Sequence, residues 1–144
     1  MDANALLSLL LPDGILKRFE FVKCDQEDTG RKDLLSDDNV IQINIYLDER
    51  DNRTEEEKKA LRPNGFTESR SIQDFPLRNR RVVLHVRRRR WLTSEGESVV
   101  LNHDQLTAPG TEYSQGFGNF LKGTFGTTPR NVTAPWEALY PKRK

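Results

Sequence analysis

The feature that most restricts the fold of this chain is the alternation of apolar and polar side chains in residues 40–47. The apolar positions are two residues apart, so they lie on one side of an extended backbone: Ile41, Ile43, Ile45 and Leu47. A period of two residues is typical of a half-buried β-strand. Residues 81–92 predict a second strand, because Val82, Leu84 and Val86 repeat the pattern. The sequence therefore predicts a fold organised around a sheet.

The leucine-rich N-terminus predicts two short helices, at about residues 3–11 and 13–19. They are expected to be separated near Pro12, because proline disrupts the interior of a helix. Leu6, Leu7 and Leu10 would line one face of the first helix and pack into the core. A strand is expected to begin at residues 19–24.

Weaker patterns complete the prediction. Residues 26–39 are charged and turn-rich. Thr54 followed by three glutamates predicts the start of a helix, which is expected to end at residues 63–65. Further strands are expected at residues 66–75 and 98–102, and a helix at 111–122. The predicted fold class is α+β, with a mainly antiparallel sheet of about four strands and the N-terminal helices packed on one face.

A chain of 144 residues fits one domain, which we expect to span residues 1–122. Residues 123–144 contain three prolines and end in Lys142-Arg143-Lys144. We expect them to form a flexible basic tail, because prolines interrupt regular elements.

Composition limits the compartment and the chemistry. The apolar residues 5–12 are too few to cross a bilayer, and no basic residue precedes them as in a secretory signal. Cys24 is the only cysteine, so neither an internal disulfide nor a thiolate zinc site is expected. We therefore expect a cytoplasmic protein with no membrane partner, no metal and no other cofactor.

The two halves of the chain differ in charge. Residues 1–69 contain 10 Lys or Arg and 16 Asp or Glu, a net of −6, whereas residues 70–144 contain 13 and 6, a net of +7. Seven arginines and no acid lie between Asp74 and Glu95. Such asymmetry indicates either a polyanionic partner or a basic face that pairs with the acidic half of the chain.

The arginines continue the second predicted strand, so they alternate between its two faces. Guanidinium groups match the geometry of phosphate oxygens, and Trp91 could stack on a base or on a neighbouring guanidinium. The candidate nucleic-acid contacts are Arg78, Arg80, Arg81, Arg87, Arg88, Arg89, Arg90 and Trp91. The alternative is a charged hairpin that keeps an edge soluble and pairs with the acidic first half.

This stretch resembles a hairpin in the finger region of insertion-sequence transposases that carry a zinc finger, a helix-turn-helix and a DDE catalytic domain. The matching positions are Asp74-Phe75-Pro76, Arg80, Val82, Leu84, Val86, Arg89, Arg90 and Trp91. Two further landmarks, residues 11–16 and 110–121, make the chain similar to stand-alone N-terminal-region proteins of such transposases. The cysteine pair of the finger class would fall near Thr93 and is absent here. The zinc-dependent properties of that class are therefore not expected of this chain.

The resemblance implies a transposase-associated DNA-binding domain, with the chemistry done by a separately encoded catalytic protein. Its implied partners are DNA at the transposon ends, that catalytic subunit and a second copy of the chain. The alternative is a module that docks on the catalytic subunit or dimerises without binding DNA. No catalytic residue is expected. Asp48, Asp74 and Asp104 do not suggest a DDE triad, because Asp74 belongs to the hairpin, and His103-Asp104 lacks further ligands for a metal site.

Overall fold

The computed structural model of this chain describes residues 3–33, 38–101, 106–108 and 111–125. Within these residues the helices are α1 (Ala3–Leu10), α2 (Ile15–Arg18), α3 (Glu55–Ala60) and α4 (Gln115–Phe125). The strands are β1 (Phe19–Lys32), β2 (Asn39–Glu49), β3 (Arg62–Phe66), β4 (Arg70–Leu77), β5 (Arg80–Arg87), β6 (Arg89–Leu92) and β7 (Ser98–Val99). The α+β class predicted from the sequence is confirmed.

The strands form two sheets. One is four-stranded in the order β1-β2-β5-β4, and the other is three-stranded in the order β3-β6-β7 with antiparallel pairs. Because β4 is an outer strand, it tolerates Pro76, which has no N–H to donate to a neighbouring strand. The sequence predicted the approximate size of the first sheet and did not predict the second.

The chain divides into two compact units. Unit 1 consists of Met1–Lys23, Tyr46–Arg70 and His85–Asp104. Unit 2 consists of Cys24–Ile45, Ser71–Leu84 and Gln105–Lys144. The long strands β1, β2 and β5 contribute residues to both units.

The core of unit 1 includes Leu11, Ile15, Phe19, Leu47, Val86 and Trp91. The prediction that Leu6 and Leu10 belong to the core is wrong, because both are about half exposed and no residue of α1 is buried. The apolar contribution of the N-terminus instead begins at Leu11, where the chain leaves α1. Gly14 then adopts a left-handed conformation (φ 76°), which a glycine accommodates without strain, and Ile15 packs inward.

The predicted helix start at Thr54 is confirmed. Thr54 Oγ1 accepts a hydrogen bond from Glu57 N–H (3.2 Å), and Glu57 Oε1 accepts one from Thr54 N–H (2.9 Å). This capping box satisfies two backbone donors at the end of α3. The segment expected to end this helix, residues 63–65, instead lies in β3, and the strand expected at residues 66–75 is divided between β3 and β4.

Unit 2 contains the part of β1 that the sequence suggested would be turns. β1 continues to Lys32 because polar side chains bridge it to β2. Asn44 Nδ2 donates to Asp25 Oδ1 (2.9 Å) and Glu27 Oε1 (3.1 Å), and Thr29 Oγ1 donates to the Val40 carbonyl (2.7 Å). Cross-strand hydrogen bonds of this kind stabilise a sheet without an apolar alternation.

The helix α4 contributes two buried side chains, Phe117 and Leu121, to a hydrophobic cluster of unit 2 against which Tyr113 packs. A Cβ atom added at Gly118 would lie 2.3 Å from the Cβ of Ala108, so the close approach of the two segments requires glycine. The helix begins four residues later than predicted and extends to Phe125, beyond the expected domain boundary at residue 122. The rest of the predicted tail, residues 126–144, and His103-Asp104 lie outside the described residues.

Candidate nucleic-acid interface

The turn between β4 and β5 carries two exposed arginines, Arg78 and Arg80. Arg78 has a left-handed backbone (φ 57°) and forms the turn with Asn79, as the sequence predicted. Within the described part of the chain, neither guanidinium has a hydrogen bond or an ion pair. Arg81 is half-buried where β5 enters the sheet. Arg78 and Arg80 therefore keep their full positive charge facing solvent.

Arg87, at the end of β5, is paired with a carboxylate. Its Nε donates to Asp48 Oδ1 (2.7 Å) and its Nη2 to Asp48 Oδ2 (2.5 Å). The hydrogen bonds from the guanidinium to Asp48 raise the pKa of Arg87. The Arg87 side chain is 45% exposed and that of Asp48 is 18% exposed, so solvent reaches this pair. Such an exposed pair holds a defined geometry and contributes little stability.

The next two arginines converge on Glu49, the last residue of β2. Arg88 Nη1 donates to Glu49 Oε2 (3.2 Å), and the backbone N–H of Arg89 donates to Glu49 Oε1 (2.8 Å). Arg89 Nε also donates to the Glu49 carbonyl (2.8 Å). Because the Glu49 side chain is only 6% exposed, this carboxylate requires these partners.

Glu49 and Thr67 explain why the predicted strand 81–92 is interrupted at Arg88. The hydroxyl of Thr67 accepts from the Arg88 N–H (3.1 Å), and the Thr67 N–H donates to the Arg88 carbonyl (2.8 Å). The backbone groups at the interruption are thus satisfied. The chain leaves the four-stranded sheet after Arg87 and enters the three-stranded sheet at Arg89.

Phe66 lies beneath two of these guanidiniums. Its ring centroid is 4.6 Å from the Cζ of Arg87 and 5.0 Å from the Cζ of Arg89. Both distances are within the range of cation–π attraction. Two like-charged guanidiniums therefore lie within 5.0 Å of the centre of one ring.

Arg90 has a neutral hydrogen-bond partner instead of a carboxylate. Its Nε donates to the hydroxyl of Ser98 (3.0 Å), which is neutral. Within the described residues no carboxylate pairs with Arg90, and the residue is exposed. Its positive charge is therefore not compensated by this contact.

Trp91 is part of the core of unit 1. The residue is 2% exposed, and the Cζ of Arg53 lies 4.4 Å from the centroid of its ring. Arg53 is itself held by Asp51 and by the Leu61 carbonyl. The ring is therefore buried from any base in this structure, and the guanidinium that covers it is that of Arg53 and not of Arg87 or Arg89.

Of the sequence-predicted site residues, the structure brings together Arg87, Arg88 and Arg89. With Asp48 and Glu49 they form an arginine–carboxylate cluster in which three positive charges face two negative ones. The expected pairing of the arginines with the acidic first half is confirmed for these side chains. Glu49 and Phe66 were not among the site residues predicted from the sequence. The available signal was the pair of acids at the end of the clearest predicted strand.

Comparisons with profiles of protein families, with characterised proteins and with solved structures produced no significant match. Among the described residues, no helix combines the length and apolar character needed to span a bilayer. Nor do the described His, Cys, Asp and Glu residues include a group of three or more that could hold a metal ion.

Proposed function

We propose that this chain is a non-catalytic DNA-binding domain that works with a separately encoded transposase, and that it contacts duplex DNA through Arg78 and Arg80. The observation that carries the proposal is the exposure of both guanidiniums at a hairpin turn. No carboxylate among the described residues pairs with either of them. A phosphate can bind them without first breaking an ion pair. The resemblance to transposase N-terminal regions supports the transposon end as the DNA.

Phosphate binding by these two arginines predicts a specific dependence on salt. Each phosphate that a protein neutralises releases condensed counterions, which contributes about −0.9 to the slope of log affinity against log salt concentration. Replacing Arg78 and Arg80 with alanine should therefore flatten the slope by about 2 and weaken random and transposon-end duplexes alike. A fluorescence titration at several salt concentrations measures both quantities.

The matched control is the double variant Lys17→Ala/Lys59→Ala, which removes the same charge from two exposed residues of α2 and α3. It should leave the slope close to that of the unmodified protein. Equal losses in both double variants would mean that only net charge matters. No binding of either duplex at low salt would eliminate DNA binding by this chain.

A second candidate function is docking on the catalytic transposase protein. Unit 2 exposes three large apolar side chains on β4 and α4: Phe75, Leu77 and Phe120. The rings of Phe75 and Phe120 are in contact, with centroids 5.6 Å apart. Exposed aromatic side chains that contact each other are typical of protein-binding surfaces. Because Arg78 follows Leu77 directly, the complementary surface of the partner would be apolar and acidic.

This candidate is tested with the protein of a DDE reading frame adjacent to the gene of this chain. Phe120→Ser should reduce its capture by the immobilised chain and leave DNA affinity unchanged. Val22→Ser, at an equally exposed apolar residue of β1, is the control and should have no effect on capture. Equal capture by all three proteins would exclude this surface as the docking site.

A further inference from the structure

The Arg87–Asp48 pair has a geometry that a phosphodiester could reproduce. Two guanidinium nitrogens of Arg87 donate to the two oxygens of one carboxylate, at 2.7 and 2.5 Å. Arginine makes the same parallel pair of hydrogen bonds to two oxygens of a phosphate. Asp48 thus occupies the position in which an anionic ligand would bind Arg87.

A second guanidinium contacts the same aromatic ring as Arg87. Arg89 lies over the ring of Phe66, 5.0 Å from its centroid, and donates its Nε to the Glu49 carbonyl. The two Nη groups of Arg89 have no acceptor among the residues that the structure describes. They remain available for an anion beside Arg87. Two guanidiniums held against one ring are also ordered before a ligand arrives, which lowers the entropy cost of binding.

We propose that Arg87, Arg89 and Phe66 form a second phosphodiester site for nucleic acid, and that the carboxylate of Asp48 competes with the phosphate for Arg87. The inference rests on the proposed DNA binding and adds regulation to it. A phosphate binds Arg87 in this site only when it displaces Asp48. Asp48 therefore lowers affinity for every sequence and reduces the number of phosphates bound.

Asp48→Asn is the direct test. Asparagine has nearly the same shape and removes the competing charge, so Arg87 becomes available to phosphate. For a solvent-exposed ion pair we expect duplex affinity to rise about two- to fivefold. The slope of log affinity against log salt should steepen by about 1, because one further phosphate contact forms.

The matched control is Asp51→Asn. Asp51 also binds an arginine through both carboxylate oxygens, but its partner Arg53 covers Trp91 and lies outside the proposed site. Both substitutions change the net charge equally, so a general electrostatic effect would appear in both. Asp48→Asn/Arg87→Ala is expected to lose the gain in slope.

The outcomes separate this inference from the proposed function. If the unmodified chain binds duplex DNA and Asp48→Asn binds with the same slope, the second site is excluded while DNA binding at the β4–β5 turn stands. A gain of equal size in Asp51→Asn also overturns the inference. Binding by neither the unmodified chain nor Asp48→Asn at low salt overturns the proposed function itself. Thermal melting of each variant confirms that the measured proteins are folded.

Discussion

Ser114 Oγ donates a 2.7 Å hydrogen bond to Asp74 Oδ1, and both side chains are buried. Asp74 belongs to the Asp74-Phe75-Pro76 segment of β4, and Ser114 immediately precedes α4. The ring of Phe75 also contacts that of Phe117, with centroids 4.9 Å apart. Two of the three stretches on which the transposase resemblance rests therefore contact each other in unit 2.

The buried carboxyl of Asp74 predicts a dependence of stability on pH. Burial raises its pKa above the usual 3.8, although the hydrogen bonds from Ser114 and the Phe75 N–H oppose the shift. A group whose pKa is raised in the folded state stabilises the protein at pH values below its pKa in the unfolded state. This contribution is lost as the pH rises through the pKa of the folded state. Asp74→Asn should therefore become increasingly stable relative to the unmodified protein as the pH rises above 3.8.

Urea denaturation across that range measures the difference. Ser114→Ala is the companion variant and should lose about 1–3 kcal/mol, because the buried Asp74 Oδ1 loses the hydrogen bond from the Ser114 hydroxyl. A constant difference between Asp74→Asn and the unmodified protein at every pH would show that Asp74 titrates normally.

Trp91 should matter for stability and not for DNA affinity. Its ring is buried beneath Arg53, so Trp91→Ala should lower the free energy of unfolding by about 3–5 kcal/mol. Trp91→Phe preserves most of the packing and should bind duplex DNA as the unmodified protein does. Reduced DNA affinity of a folded Trp91→Phe protein would restore the base-stacking role.

Leu10 and Leu11 are neighbours in sequence with opposite environments. Leu10 is 51% exposed and Leu11 is 5% exposed. Leu10→Ala should change the free energy of unfolding by less than about 0.5 kcal/mol, whereas Leu11→Ala should cost about 2–5 kcal/mol. Urea denaturation of both variants decides the point, and a loss above 2 kcal/mol for Leu10→Ala would show that α1 is packed in solution.

Two glycines of α4 should respond in opposite directions to alanine. The added Cβ at Gly118 meets Ala108, whereas at Gly123 nothing lies within 4 Å. Gly118→Ala should destabilise the protein by about 1–3 kcal/mol through overpacking. Gly123→Ala should stabilise it by roughly 0.5–1 kcal/mol because alanine favours helices. Melting temperatures that move together would contradict the close contact at Gly118.

The alternation in residues 40–47 predicted β2 correctly because a half-buried strand leaves a period of two in its own sequence. The interruption at Arg88 leaves no such local pattern, since it depends on hydrogen bonds that Arg88 donates to Thr67 and Glu49, which lie 21 and 39 residues away. The burial of Trp91 depends in the same way on Arg53. Exposed arginines at the β4–β5 turn were predictable, because turn residues face solvent.

The two carboxylates of the arginine–carboxylate cluster should differ strongly in their effect on stability. The Glu49 side chain is 6% exposed and accepts hydrogen bonds from both Arg88 and the Arg89 N–H. The pair of Asp48 and Arg87, in contrast, is accessible to solvent. Glu49→Gln places a donor amide against the Arg88 guanidinium, and breaking a buried pair in this way costs about 3–5 kcal/mol. Asp48→Asn removes an exposed pair and should cost about 0–1 kcal/mol.

Chemical denaturation of both variants measures the contrast, and Asp51→Asn, which removes a second exposed pair, is measured beside them. Similar small losses in all three would mean that Glu49 does not hold the junction between β5 and β6, and the ordered position of Arg89 would then need another cause.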